Sequence, residues 1–292
     1  MDARGKSSQA GQLSPVATPR LASLQLTAGD GGPLRVDVRS GARPGEIRPV
    51  VAICHGFKGF KDWGMFPKLA ERLAVAGFTA VSFNFSGSGV AEGDQFTELD
   101  RWEHQMPSHD LADVGIVLDH FAGLGATWFG LVGHSRGGGL AVLHAASDQR
   151  VRSLVTWAAI DQFLRWPGDE IARWRRDGRI DVTNSRTGQV LTIGRDALDD
   201  IDGNRDRLDI MAAAGRVRAP WLIINGDDDR VVMPDIAARL RAASGAPRTE
   251  LLLVERGDHT FGARHPWSGS TPQFDRVLDR TVRWLSGSLG GS

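Results

Sequence analysis

Short apolar runs alternate along the chain with segments whose apolar residues recur every three or four positions. The short runs are typical of buried strands, and the wider spacing is typical of helices that bury one face. The predicted strands are Leu21–Leu26, Leu34–Arg39, Val50–Cys54, Thr79–Phe85, Trp128–Val132, Val151–Ala158, Trp221–Ile224 and Thr249–Val254. The predicted helices are Phe66–Ala76, Asp110–Phe121, Gly137–Ala146, Pro234–Ala243 and Gln273–Leu285. The pattern predicts an α/β protein whose mostly parallel central sheet carries helices on both faces, after an opening β-hairpin.

One long segment, Asp161–Arg218, interrupts the alternation. It holds eleven arginines and eleven carboxylates, and its middle, RIDVTNSRTGQVLTIG, reads as a β-hairpin between two short helical pieces, Asp169–Arg176 and Ala197–Asp200. A segment of this length is too long for an ordinary loop, so we predict an inserted cap over the core. A surface excursion that only shields the sheet is the alternative.

The predicted organisation has four parts. Residues 1–20 form a disordered N-terminal segment, 21–160 and 219–286 form the core, 161–218 form the cap, and 287–292 form a flexible tail.

Composition and charge exclude several functional classes. The 35 basic and 35 acidic residues of the 292-residue chain cancel, which argues against nucleic acid as a partner. No run of about 18 apolar residues occurs and the N-terminus is polar, so we expect no membrane partner and a cytoplasmic location. One cysteine, Cys54, permits neither an internal disulfide nor a thiolate metal cluster, and no cofactor or metal is expected. The oligomeric state stays open, with a homodimer as one alternative.

The strongest chemical signal is Gly-His-Ser-Arg-Gly at 133–137, which matches G-x-S-x-G between a predicted strand and a helix rich in small residues. The chain must turn sharply there, and glycines two positions before and after the serine avoid a collision with neighbouring backbone. Such a turn presents the serine hydroxyl above the carboxyl edge of the sheet. Ser135 is therefore the predicted nucleophile, whereas the alternative is a glycine-rich structural turn.

A serine hydroxyl needs a base to remove its proton and a carboxylate to orient that base. Three aspartates follow the strand WLIIN, and the spacing G-x-x-D-x-x-V favours Asp229, with Asp227 and then Asp228 as alternatives. His259 follows the last predicted strand and is the predicted base. His265 lies beyond that turn, and the other histidines precede the acid or neighbour the serine in the chain.

The negative charge that develops on an attacked carbonyl needs two backbone donors. The N–H of Arg136, directly after the serine, is one candidate. The loop after Val50–Cys54 begins His-Gly-Phe, and the N–H of Phe57 is the other. Trp166 and Trp174 in the insertion, together with Phe57, are the predicted substrate-binding aromatics, although burial within the cap is an equal alternative for each tryptophan.

Four motifs together resemble one superfamily. The motifs H-G-F, G-H-S-R-G-G, G-x-x-D-x-x-V and G-D-H-x-F, in that order, are similar to those of α/β-hydrolases. Within that superfamily the chain resembles the dienelactone hydrolase, prolyl-oligopeptidase-like and cinnamoyl or feruloyl esterase group over about residues 21–286. The resemblance implies a compact cap after the sixth strand. Ser86 stands where that group usually has an arginine after Phe85, which puts any role of that arginine in doubt.

The expected activity is the hydrolysis of a small carboxylic ester through an acyl-enzyme. Dienelactone hydrolases use a cysteine nucleophile, so the serine here points towards esters. A peptidase or thioesterase of the same fold is the alternative within this chemistry. A non-catalytic binding protein of the same fold is the alternative from another class.

Overall fold

The computed structural model describes residues 19–43 and 45–290. Its strands are β1 Arg20–Thr27, β2 Pro33–Ser40, β3 Val50–Cys54, β4 Thr79–Phe83, β5 Phe129–His134, β6 Val151–Trp157, β7 Arg179–Thr183, β8 Val190–Gly194, β9 Trp221–Gly226 and β10 Thr249–Val254. Its helices are α1 Met65–Val75, α2 Leu99–Glu103, α3 Pro107–Gly123, α4 Arg136–Ala145, α5 Gly168–Asp177, α6 Asp196–Gly203, α7 Ile210–Ala214, α8 Pro234–Ala243 and α9 Pro272–Gly287.

Eight of the strands form one sheet in the order β1-β2-β4-β3-β5-β6-β9-β10. The first two are antiparallel to each other, β2 is antiparallel to β4, and every later neighbour pairs in parallel. Parallel neighbours need crossovers, and the helices that make them cover both faces of the sheet. The predicted mostly parallel sheet with an opening hairpin is confirmed.

The apolar side chains of the central strands divide between two core clusters, one on each face. In β3, Val51 and Ile53 belong to the cluster that includes α1 and α9, whereas Ala52 and Cys54 belong to the cluster under α3 and α4. Successive residues of a strand point to opposite faces, so a strand buried on both faces must be apolar throughout. Cys54 is fully buried and unpaired, as expected for a small core residue.

The inserted segment leaves the sheet after β6 and contains α5, the separate antiparallel hairpin β7–β8, and α6. Its apolar side chains form a third cluster with residues of the connections that follow β3 and β4, including α2. This cluster includes Trp174, Leu191, Ile193, Leu198, Phe60, Phe96 and Trp102. From Leu208 onwards the segment packs differently, because Leu208, Ile210, Ala213, Ala214 and Val217 lie in the sheet core. The predicted cap limits, 161–218, therefore include a helix, α7, that packs on α4.

The structure also corrects some element boundaries. The predicted strand Thr79–Phe85 ends at Phe83, and the helix predicted from Asp110 begins at Pro107. Arg20, assigned to the N-terminal segment, opens β1, and Gly287, assigned to the tail, closes α9. The disorder predicted for the rest of the N-terminus lies outside the described residues except at Pro19, as do the last two positions of the tail.

Candidate active site

Ser135 lies at the junction of β5 and α4 in a backbone conformation that side chains rarely adopt, with φ 54° and ψ −117°. The glycines of the motif make this turn feasible. A Cβ at Gly133 would lie 2.3 Å from the carbonyl oxygen of Gly137, and a Cβ at Gly137 would lie 2.3 Å from that of Cys54. A strained non-glycine residue held by its surroundings is a mark of functional sites. Ser135 is 8% exposed and lines a cavity.

Asp229 and His259 come together from the loops after β9 and β10. Oδ2 of Asp229 lies 2.9 Å from Nδ1 of His259, while Oδ1 accepts hydrogen bonds from the N–H groups of Val231 and Val232 at 2.8 and 2.9 Å. Burial acts to raise the pKa of Asp229, but the hydrogen bond to His259 and the two backbone donors outweigh it and leave the pKa below its ordinary value. Asp229 is therefore ionised at neutral pH and can fix the imidazole.

The two alternative acids are placed elsewhere. Oδ1 of Asp227 accepts a hydrogen bond from the N–H of Arg256 at 2.6 Å, which ties the loop after β9 to the loop after β10. Asp228 is exposed and pairs with Arg230 at 3.3 Å. Of the three aspartates, it is Asp229 that has a carboxylate oxygen within hydrogen-bond distance of His259.

The alternative histidines are engaged in other contacts. Nε2 of His134 donates to the carbonyl oxygen of His259 at 2.9 Å, and burial lowers the pKa of His134 to about 3, so it stays neutral. His265 accepts from the N–H of Gly64 through Nδ1 and lies 3.2 Å from Asp94 through Nε2. His134 thus supports the loop that carries His259.

A cavity of about 790 Å³ opens above Ser135 and His259. Its floor is the carboxyl edge of the sheet, one wall is the loop Gly56–Gly59, and the opposite wall comes from the inserted segment. Trp166 and Trp174 both line it. Trp174 is 2% exposed and donates from Nε1 to the carbonyl oxygen of Gly194 at 3.1 Å, while Trp166 is half-buried and packs edge-on against Trp174 and Phe57.

The two predicted backbone donors lie close to Ser135 in the structure. The N–H of Arg136 opens α4, and that of Phe57 follows Gly56, where a Cβ would lie 3.1 Å from Cβ of Ser135. Neither N–H donates a hydrogen bond to another residue within the part of the chain that the structure describes. Both donors are thus unoccupied, and that of Arg136 is at the N-terminal end of a helix, where negative charge is stabilised.

The side chain of Arg136 forms a buried cluster that the sequence analysis missed. Nη1 donates to Oε1 of Gln105 at 2.6 Å, and Nη2 lies 2.7 Å from Oδ2 of Asp110. The guanidinium also lies near the rings of Phe57 and Phe163, at 5.9 and 6.0 Å from their centroids. Nothing in the sequence indicated a role for Asp110 beyond its place in a predicted helix, because Arg136, with which it pairs, lies on another helix.

The described residues hold neither a candidate metal site nor a candidate membrane-spanning helix. Among residues 19–43 and 45–290, no group of three or more His, Cys, Asp or Glu side chains has a geometry suited to a metal ion. Within the same ranges, no helix is both long enough and apolar enough to span a bilayer.

Comparisons with known proteins agree with the geometry. A family model described as the alpha/beta hydrolase fold matches residues 49–192. The chain is 28% identical over 271 residues to a pimeloyl-[acyl-carrier protein] methyl ester esterase of Xanthomonas campestris pv. campestris, a match that covers 81% of this chain and 96% of that protein. It is 32% identical over 111 residues to an uncharacterized 31.7 kDa protein of Escherichia coli, but this stretch spans only 37% of that relative.

Among solved structures, a putative hydrolase from Agrobacterium vitis S4 superposes with a TM-score of 0.72 at 22% identity and covers 92% of this chain and 99% of its own. The topology agrees with the family match, which covers about half of the chain: the chain has the α/β-hydrolase fold.

Proposed function

We propose that this protein hydrolyses carboxylic esters through an acyl-enzyme, with Ser135 as nucleophile, His259 as base and Asp229 as the acid that orients the base. The observation that carries the proposal is the 2.9 Å contact between Asp229 and His259 beside the cavity that Ser135 lines. The similarity to an esterase from Xanthomonas supports ester chemistry in particular.

In the proposed reaction, Oγ of Ser135 attacks the ester carbonyl while Nε2 of His259 takes the hydroxyl proton. The imidazolium so formed is stabilised by the carboxylate of Asp229. The N–H groups of Phe57 and Arg136 donate to the oxyanion of the tetrahedral intermediate. Collapse breaks the bond to the alcohol, which leaves with the proton from His259. Water then attacks the acyl group on Ser135 while His259 takes its proton. The second tetrahedral intermediate collapses, His259 returns the proton to Oγ of Ser135, and the acid is released.

The cavity walls favour a substrate with an apolar part. Phe57, Phe163, Trp166 and Ile193 line it, and aromatic walls bury an acyl chain or an aryl group without demanding one shape. The inserted segment supplies three of these four residues. We therefore propose that this segment, as a cap, sets the preference for acyl or alcohol groups.

The test uses an active-site label together with turnover. A fluorophosphonate should label the wild-type protein at Ser135, and 4-nitrophenyl butyrate should be hydrolysed. Ser135→Ala should lose labelling and lower kcat by about 10⁴–10⁶. Ser286→Ala, at an exposed serine of α9, is the matched control and should keep both. Rapid turnover by folded Ser135→Ala would contradict the proposal, whereas a wild-type protein that neither labels nor hydrolyses would indicate a binding protein.

A further inference from the structure

The charged side chains around the cavity are of one sign. Within the described part of the chain, its lining includes five cationic residues, Lys58, Arg136, Arg165, Arg186 and Arg264, and no aspartate or glutamate. The chain as a whole has 35 residues of each sign, so this imbalance is local. A cleft lined by one sign of charge concentrates ligands of the opposite sign.

Two of these cations already have carboxylate partners behind the cavity wall. Arg136 pairs with Asp110 at 2.7 Å, and Arg186 pairs with Asp94 at 2.9 Å. Both of these carboxylates lie outside the lining. The cationic character left for a ligand comes from the other three residues, of which Arg165 and Arg264 are exposed.

Lys58 differs from the other two because it is half-buried. Its ammonium donates to the carbonyl oxygen of Thr183 at 3.1 Å, a contact that joins the Phe57 loop to β7. No carboxylate of residues 19–43 or 45–290 lies within 4.0 Å of it. Burial lowers the pKa of Lys58 without a compensating charge. An ammonium group has three donors, so Lys58 retains the capacity to bind an anion in the cavity.

We propose that the cavity takes esters that carry a negatively charged group, such as a carboxylate, and that Lys58 pairs with that group. The inference rests on the proposed function and names its substrate class. Lys58 follows Phe57, whose N–H is one of the two proposed oxyanion donors, so the anion would lie close to the ester itself. An ammonium–carboxylate contact of this kind is a charge-assisted hydrogen bond, and partial burial makes it stronger than one at the surface.

The experiment compares matched esters on the full chain. In the acyl arm, mono-4-nitrophenyl adipate is compared with 4-nitrophenyl 6-methylheptanoate, in which an isopropyl group replaces the carboxylate. In the alcohol arm, 4-acetoxybenzoate is compared with 4-isopropylphenyl acetate. The measured quantity is the ratio of kcat/KM for the anionic ester to that for the neutral ester, so any general effect of a substitution on turnover cancels.

Lys58→Met should lower this ratio about ten-fold in at least one arm, and that arm identifies the side of the ester that carries the charge. Lys58→Arg should keep most of the ratio. Lys68→Met, which removes a partly exposed lysine of α1 outside the lining, should leave the ratio unchanged. In the wild-type protein, added sodium chloride should lower kcat/KM more for the anionic ester than for the neutral one.

Two results would overturn the inference. One is an unchanged ratio for Lys58→Met in both arms while the neutral esters are hydrolysed normally. The other, which needs no variant, is an equal effect of salt on the anionic and neutral esters. Both leave the proposed ester hydrolysis standing. If the wild-type protein cleaves none of the four esters and is not labelled at Ser135, the proposed function fails and the inference fails with it.

Discussion

Oδ2 of Asp229 lies 2.9 Å from Nδ1 of His259, and the side chain of Asp229 is fully buried. The other oxygen, Oδ1, is held by the N–H groups of Val231 and Val232. The backbone thus fixes the carboxylate before any substrate arrives. The tautomer follows from this contact: a carboxylate can only accept, so Nδ1 of His259 carries the proton and Nε2 is free to act as a base.

We expect Asp229→Asn to lower kcat by about 10³–10⁴, because the amide no longer stabilises the imidazolium and permits the wrong tautomer. Asp227→Asn and Asp228→Asn are the matched controls from the same loop and should lower kcat far less. The measurement is kcat for 4-nitrophenyl butyrate after each variant is shown to be folded. A crippled Asp227→Asn with an active Asp229→Asn would contradict the assignment of the acid.

The second prediction concerns Gly137, in the sharp turn at Ser135. In Gly137→Ala the new Cβ would meet the backbone of β3 at 2.3 Å, and backbone cannot move aside as a side chain can. We expect a loss of at least about 2 kcal/mol in the free energy of unfolding, measured by urea denaturation.

Gly115→Ala in α3 is the matched control. There the new Cβ would meet only His144 at 3.5 Å, an ordinary contact, so alanine should stabilise the helix by about 0.5–1 kcal/mol. Similar effects of the two substitutions would show that the contact at Gly137 does not constrain the fold.

The half-buried ring of Trp166 supplies a third prediction. Trp166→Ala should change kcat/KM unequally across acetate, butyrate, octanoate and cinnamate esters, since one lost apolar contact is worth about 10- to 200-fold in discrimination. Trp174→Phe is a suitable comparison, because it removes the hydrogen bond to Gly194 while keeping an aromatic ring in the cap. A common factor for all four esters with Trp166→Ala would mean that the cap is only structural.

The fourth prediction concerns the buried Asp113 on α3. Burial, with the nearby charge of Asp110, raises the pKa of Asp113 from 3.8 to about 7. The folded state therefore binds its proton more tightly than the unfolded state, and stability falls as pH rises from about 4 to about 7. At about 1.4 kcal/mol per pKa unit the loss is at most about 4 kcal/mol.

Asp113→Asn should flatten this dependence, because an amide oxygen can still accept from the N–H and hydroxyl of Ser86. Urea denaturation of the wild-type protein and the variant at a series of pH values measures the difference. Asp206→Asn, at an exposed position, should leave the wild-type curve unchanged. If the free energy of unfolding changes between pH 4 and 7 by the same amount in the wild-type protein and in Asp113→Asn, the prediction is contradicted.

The sequence was informative wherever one local pattern decides the structure. The limits of β3, α8 and β10 were predicted to the residue, because each is a compact apolar or periodic run with clear breakers. Asp229 was favoured over its neighbours by motif spacing and by the helix predicted from Pro234, and the structure places its carboxylate 2.9 Å from His259. The five-residue helices α2 and α7 were missed, since so short a segment shows no helical period.

What the sequence could not provide was contact between distant segments. Nothing in the sequence near Arg136 indicates that its guanidinium pairs with Asp110, 26 positions away, or that Lys58 contacts β7 of the inserted segment. The sequence also could not give the limits of the predicted cap. Leu208–Val217 is as apolar as the interior of a cap would be, and only its packing shows that it lies in the sheet core.

The inserted segment begins and ends on neighbouring strands, because β6 and β9 pair directly along Leu154–Trp157 and Trp221–Ile224. The two strands that bracket it are therefore held together by the sheet whatever lies between them. Insertions, deletions or exchange of the residues between α5 and α6 would rebuild one wall of the cavity without shifting Ser135, Asp229 or His259. For protein engineering, we therefore expect the β7–β8 hairpin of the segment to be exchangeable, whereas Leu208–Val217 must be kept because it packs in the sheet core.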